Sequence, residues 1–195
     1  MVQPTPPILS GRRIAVTRTR AQAGELSRHL TALGATVIEL PLIQVTKDVD
    51  AATREDVFAE LGGYDWLVFT SANGVRYFFE EFFAQFDDLR SLGLVRIACV
   101  GPATARAVRA LHLGVELCPE KAEAGALAEA LAATGSLDNG KVLVVTGKRN
   151  REGGGKKRGE ARAIVDEFSV YRTEKTDLAA NALAVDFRRH GADAL

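Results

Sequence analysis

The chain is short of the residues that most readily give a reaction away. It has two cysteines and three histidines in 195 residues. Cys99 and Cys118 sit in apolar surroundings without CxxC spacing, which excludes a disulfide framework or zinc site and predicts reduced, structural thiols in a cytosolic protein. His29, His112 and His190 fall in or beside helical stretches, away from strand ends and without metal-ligand spacing, so surface or core roles are expected and no metal. Charge of one sign is missing too. Twenty-five Lys and Arg cancel twenty-five Asp and Glu, leaving none of the basic excess that phosphate-backbone binding favours, so no nucleic-acid partner is expected. No apolar run approaches the ~20 residues of a membrane span, and "MVQPTPPILSGRR" has no apolar run of signal length. Neither a membrane location nor export is expected. Nor does a G-x-G-x-x-G follow the first strand, and no strand ends on the aspartate that a response regulator would phosphorylate.

What is present is alternation. "RIAV" (13 to 16) leads to a helix over 21 to 33, with Leu26, Leu30 and Leu33 on one face, closed by Gly34. Next come the strand "TVIEL" (36 to 40), the extended connector "PLIQVTKD", a helix over 52 to 61, the strand "WLVFT" (66 to 70) and a helix over 74 to 86. The strand "RIACV" (96 to 100), a helix over 102 to 111, a short strand "VELC" (115 to 118) and a helix over 123 to 133 follow. The strands "KVLVV" (141 to 145) and "EFSVY" (167 to 171) and a last helix ending near Arg189 complete the pattern. Such alternation predicts an α/β protein with parallel sheets flanked by helices.

The pattern also repeats. Residues 13 to 67 lie on 141 to 195 at one offset of 128, without a gap: "RIAV" meets "KVLV", "ATVIEL" meets "AIVDEF", and "GYDWL" meets "GADAL". Two related α/β units are expected, with "PLIQVTKD" and "VYRTEKTD" as equivalent connectors. The first copy continues into "VFTSANGV" and the second does not, so one unit is expected to be incomplete. At 151 to 162, "REGGGKKRGEAR" puts Gly154 and Arg158 where the first copy has Leu26 and Leu30. Three successive glycines, Gly153 to Gly155, each cost a helix about 1 kcal/mol relative to alanine, so a loop or frayed helix is expected there. The order G-x-x-x-x-G-K-[ST] of a phosphate loop is not met.

The turns after the strands are "TRTRAQ", "TSANGV", "GPATARA" and "TGKRN". Each is a hydroxyl or glycine turn opening a helix, and such N-termini attract anions through unpaired N–H groups and the helix dipole. Thr17, Arg18, Thr70, Ser71, Asn73, Gly101, Ala103, Thr104, Thr146 and Gly147 are thereby candidates for holding carboxylates or phosphates. The competing reading is simple helix capping. Tyr171 is the one plausible proton donor near these turns. A non-enzymatic two-lobed module binding a small anion would use the same turns.

"FTSANGV", then "VGPATARAV", "KVLVVTG" and "VYRT", in that order and spacing, resemble the uroporphyrinogen-III synthase family over nearly the whole chain, from "RRIAVTR" to "GADAL". The resemblance implies two similar parallel-sheet domains, flavodoxin-like and doubly wound, joined by a two-stranded linker. Residues 1–42 and 174–195 would form the first domain, incomplete here. Residues 43–46 and 170–173 would be the linker, and 47–169 the inserted second domain. It implies a monomeric, cytoplasmic lyase without cofactor that closes hydroxymethylbilane to uroporphyrinogen III, inverting the last pyrrole ring. The small-molecule substrate, with its eight carboxylates, suits a cleft lined with N–H-rich turns. Tyr171 matches the tyrosine that assists departure of the hydroxyl, and Ser71 and Thr104 match cleft-lining positions. The missing second "FTS" strand implies weak or no activity for these residues alone.

Overall fold

The computed structural model describes residues 7–148, 163–179 and 181–195. The glycine run at Gly153 to Gly155, with the loop or frayed helix expected around it, lies outside them. In chain order the elements are β1 (Arg13–Val16), α1 (Arg20–Ala32), β2 (Thr36–Glu39), β3 (Ile43–Lys47), α2 (Ala51–Ala59), β4 (Trp66–Phe69), α3 (Ala72–Gln85), β5 (Arg96–Cys99), α4 (Pro102–Arg109), α5 (Ala124–Ala133), β6 (Lys141–Lys148), β7 (Ile164–Lys175) and α6 (Ala182–His190). Residues 1–45 and 173–195 form one compact unit, and residues 46–172 another. The chain passes between them in β3 and β7.

In the larger unit the strands are ordered β3-β7-β6-β4-β5, and β4 pairs in parallel with β5 and β6, as β6 does with β7. Period-two alternation divides its core. Trp66 and Val68 of β4 and Val142 of β6 turn to one side and pack with Leu127 and Leu131 of α5. Phe69 turns to the other side and meets Phe78 and Phe79 of α3. Val75, Phe78, Phe79 and Phe82 recur at helical spacing and are all buried. Phe58 of α2 and Phe168 of β7 complete that aromatic cluster, edge to face with Phe78. Burying a phenylalanine contributes about 2 to 3 kcal/mol, so this layer holds β4, β6 and β7 rigidly under α3.

The smaller unit has the parallel pair β1-β2, with an isolated parallel bridge from Ile14 to Ala194. Its core is aliphatic: Ala15, Ile38, Leu40 and Ala184, with Leu178, Phe187 and Ala192 against them. The expected leucine face of α1 is only partly used. Ala23 is the buried contact, Leu30 is half-buried, and Leu26 and Leu33 are exposed, since the narrow β1-β2 ladder covers no more of the helix.

Four other expectations are amended. The turn expected after Val145 does not begin there: Thr146, Gly147 and Lys148 continue β6, paired with Ser169, Tyr171 and Arg172 of β7, because the long β7 offers a ladder to join. "PLIQVTKD" is a strand, β3, and it runs against β7: Asp48 donates its N–H to the Val170 carbonyl (3.2 Å) and Thr176 to that of Leu42 (3.0 Å), so numbers rise on one side as they fall on the other. The sheet is therefore mixed. "VELC" makes only an isolated bridge, Leu117 to Ala98. The strand expected over 167 to 171 runs from Ile164 to Lys175, because both halves have a ladder to join. Among the described residues no helix is long and apolar enough to cross a membrane.

Candidate functional site

The buried strand β4 gives way to hydroxyls at Thr70 and Ser71, and both are committed locally. Thr70 donates through its N–H (3.2 Å) and its Oγ1 (3.1 Å) to the Val145 carbonyl of β6. Ser71 is the N-cap of α3, and its Oγ accepts from the Gly74 N–H at 3.0 Å. The capping reading is thus correct for Ser71, and it is incomplete. Its Oγ also lies 2.9 Å from the Tyr171 hydroxyl. Since the Gly74 N–H occupies one lone pair, the Ser71 hydrogen is free to point at the phenol oxygen, or the phenol to donate to Ser71.

Tyr171 reaches this place through an irregularity. β6 and β7 pair residue for residue from Lys141/Ile164 to Thr146/Ser169, and the next pair is Gly147/Tyr171. Val170 is the extra residue of a bulge. The Tyr171 ring lies against Gly147, and its centroid is 6.1 Å from that of Tyr77 in α3 at a 30° tilt. The Arg76 guanidinium sits 4.2 Å over the Tyr77 ring, so a cation lies one ring away from the phenol. Tyr77 carried no sequence signal of a site. Its meeting with Tyr171 depends on the bulge, which strand alternation does not predict.

The structure brings together Thr70, Ser71, Gly147 and Tyr171, with the buried Thr146 preceding Gly147. Asn73 is half-buried in the first turn of α3, beside that group. Gly101, Ala103 and Thr104 belong to the adjoining strand end. Gly101 is the N-cap of α4, Ala103 is exposed, and Thr104 is 4% exposed with its side chain inside. A Cβ at Gly101 would come 2.7 Å from the Ala122 Cβ, so the segment before α5 closes over that turn. Thr17 and Arg18 follow β1 in the smaller unit, half-buried and exposed respectively.

The other polar features have different roles. A pocket of about 340 Å³ lined by Asp48, Val49, Asp50, Thr53, Lys148, Glu167 and Ser169 sets three carboxylates against one lysine, which opposes an anionic guest. Glu81 of α3 is buried, receives Lys47 at 2.7 Å and Arg54 at 3.3 Å, and ties β3 and α2 to α3. Burial pushes its carboxyl up, but the two hydrogen-bonded cations more than offset this and hold it below the usual range. Burial, with a smaller contribution from Cys118, pushes the Cys99 thiol up to about 12, so Cys99 is an inert core residue. All three histidines are exposed.

The family model described as "Uroporphyrinogen-III synthase HemD" matches residues 24–195. The porphyrin biosynthesis protein HemD of Ruminiclostridium josui is 32% identical over 136 residues, covering 70% of this chain and 27% of that protein. The uroporphyrinogen-III synthase of Synechococcus elongatus is 29% identical over 121 residues, covering 62% and 46%. The chain therefore spans about a quarter and just under half of the lengths of these relatives. Among solved structures, a mutant uroporphyrinogen III synthase of Thermus thermophilus superposes with a TM-score of 0.63 at 20% identity, covering 95% of this chain and 71% of that one. The likeness supports a shared α/β fold.

Proposed function

The chain belongs to the uroporphyrinogen-III synthase family, and from that membership we propose that it carries the family's cyclisation of hydroxymethylbilane to uroporphyrinogen III, with inversion of the last ring. The observation that carries the reading is the Tyr171 phenol held 2.9 Å from the Ser71 hydroxyl at the N-terminus of α3. In this reading the phenol gives its proton to the terminal hydroxyl of the substrate, the C–O bond breaks and water leaves. The resulting azafulvene is attacked by the substituted carbon of the last ring. The spiro intermediate fragments and recloses, and the proton lost as the ring regains aromaticity returns to the phenolate. Between those steps the phenolate accepts the Ser71 O–H, and the positive end of α3 favours its charge. Orientation of the folded substrate supplies the preference for the inverted isomer.

The substrate's carboxylates would be held by main-chain N–H groups of the turns at Thr17–Arg18, Thr70–Asn73 and Gly101–Thr104, beside Thr146 and Gly147 near the end of β6. Buried Thr104 acts in this scheme through its turn and buried Thr146 through the end of β6, whereas Asn73, Ala103 and Arg18 face solvent at least in part. The reading extends to the architecture: two flavodoxin-like domains, residues 1–42 with 174–195 and residues 47–169, joined through 43–46 and 170–173. It extends also to a monomer working in the cytoplasm without a cofactor.

The test is incubation of the full-length protein with hydroxymethylbilane and separation of the product isomers, these 195 residues alone being expected to show weak or no activity. Type III above the uncatalysed type I background is the expected result. Type I alone would overturn the reading. Tyr171→Phe separates catalysis from mere anion binding: turnover should fall about a hundredfold with affinity retained.

A further inference from the structure

We propose that Gly147 is a positioning residue for Tyr171, the seat on which the phenol ring is laid. The inference rests on the role just given to the phenol, and the bulge in β7 is where it begins. Phe168 and Tyr171 are three residues apart and by strand alternation would face opposite sides. Yet both meet rings of α3, Phe168 that of Phe78 at 6.2 Å and Tyr171 that of Tyr77 at 6.1 Å. The extra residue, Val170, reverses the alternation and sends the tyrosine back under α3.

That route passes directly over the main chain of β6. A Cβ built on Gly147 would lie 2.4 Å from the Tyr171 Cε2 and Cζ and 2.9 Å from its hydroxyl oxygen. No backbone requirement explains the glycine, since Gly147 is not in the left-handed region. What the missing side chain provides is room for the ring. The atoms in conflict belong to the far end of a half-buried side chain, so an alanine here displaces the phenol and leaves the sheet intact. The displaced phenol loses Ser71, while Ser71 keeps its bond from the Gly74 N–H.

The experiment uses the full chain with ¹³C at the tyrosine Cζ, which gives three resonances for the three tyrosines. That of Tyr171 is identified by its loss in Tyr171→Phe. Gly147→Ala should move the Tyr171 resonance, whereas Gly125→Ala, whose Cβ meets open space, should not. In the full-length protein with hydroxymethylbilane, Gly147→Ala should lower kcat by about a hundredfold with KM little changed, and combining it with Tyr171→Phe should add nothing further. An unmoved resonance, or losses that multiply, overturns the inference. A moved resonance with undiminished turnover sustains the positioning and overturns the acid role of the phenol instead. Should Gly147→Ala unfold the chain, Gly147→Ala/Tyr171→Ala should refold it; failure to do so also overturns the inference.

Discussion

The two units lay down the same ladder and fill it differently. In the smaller one Arg13 opposes Thr36, and Ile14 lies between Val37 and Ala194. In the larger one Lys141 opposes Ile164, and Val142 lies between Val165 and Trp66. Each member of the second set stands 128 residues from its counterpart in the first, so the repeat read in the sequence is also a repeat of register. An aspartate clasps the ladder in both. Asp193 gives its N–H to the Arg13 carbonyl at 2.7 Å and accepts the Arg13 N–H at 2.8 Å through Oδ2. Asp65 does the same with Lys141, at 2.8 Å each way. What differs is the packing. Trp66, fully buried, has exposed Ala194 as its counterpart, and the fused aromatic layer of one unit answers to a small aliphatic core in the other. Main-chain geometry thus survives wide divergence of the side chains that stabilise it.

Trp66→Ala should break the comparison most severely. Removing a fully buried tryptophan costs about 3 to 5 kcal/mol, and hydrogen exchange should speed up in β4, β5 and β6. Ala194→Gly, at the matching register position, should leave exchange in β1 and β2 nearly unchanged. A similar loss at both positions would show that packing does not distinguish the units.

Asp65→Ala and Asp193→Ala sharpen it. Each removes an acceptor for a main-chain N–H, so both should lower the melting temperature by less than Trp66→Ala and by similar amounts. A loss at only one would mean that the shared clasp is coincidental.

Mild acid should have the smallest effect. The Asp186 carboxyl is held below its usual range by the Arg13 guanidinium and by His190, and that of Asp193 by the Arg13 N–H. Depressed folded values mean stability that is present above the unfolded pKa of ~4 and lost as pH falls through the folded values. These groups are solvent-exposed, so their contribution should also shrink with salt. Glu81, buried in the larger unit, should lose its contribution in the same direction on acidification with less sensitivity to salt. Hydrogen exchange between pH 5 and pH 2, at low and high ionic strength, reads both.

The sequence revealed the ladder because alternation and a single offset are local, additive signals. Ser71 was legible as a cap and Tyr171 only as a candidate proton donor, each from its own neighbourhood. Their meeting was not legible. It depends on one extra residue in β7, and Val170 looks like any other strand valine. Tyr77 was hidden for the same reason, lost within an aromatic helix whose periodicity explains it as core. The direction of β3 also escaped, because an extended connector carries no mark of the strand it will join. "VELC" had the composition of a strand, but composition does not supply a second ladder partner.

The close approach of Gly101 to Ala122 constrains how this protein can drift. Any side chain larger than hydrogen at 101 requires the segment around 122 to retreat. Substitutions at these two sites should therefore arrive together in descendants of this gene, and homologues bearing a bulkier residue at one should carry a compensating change at the other.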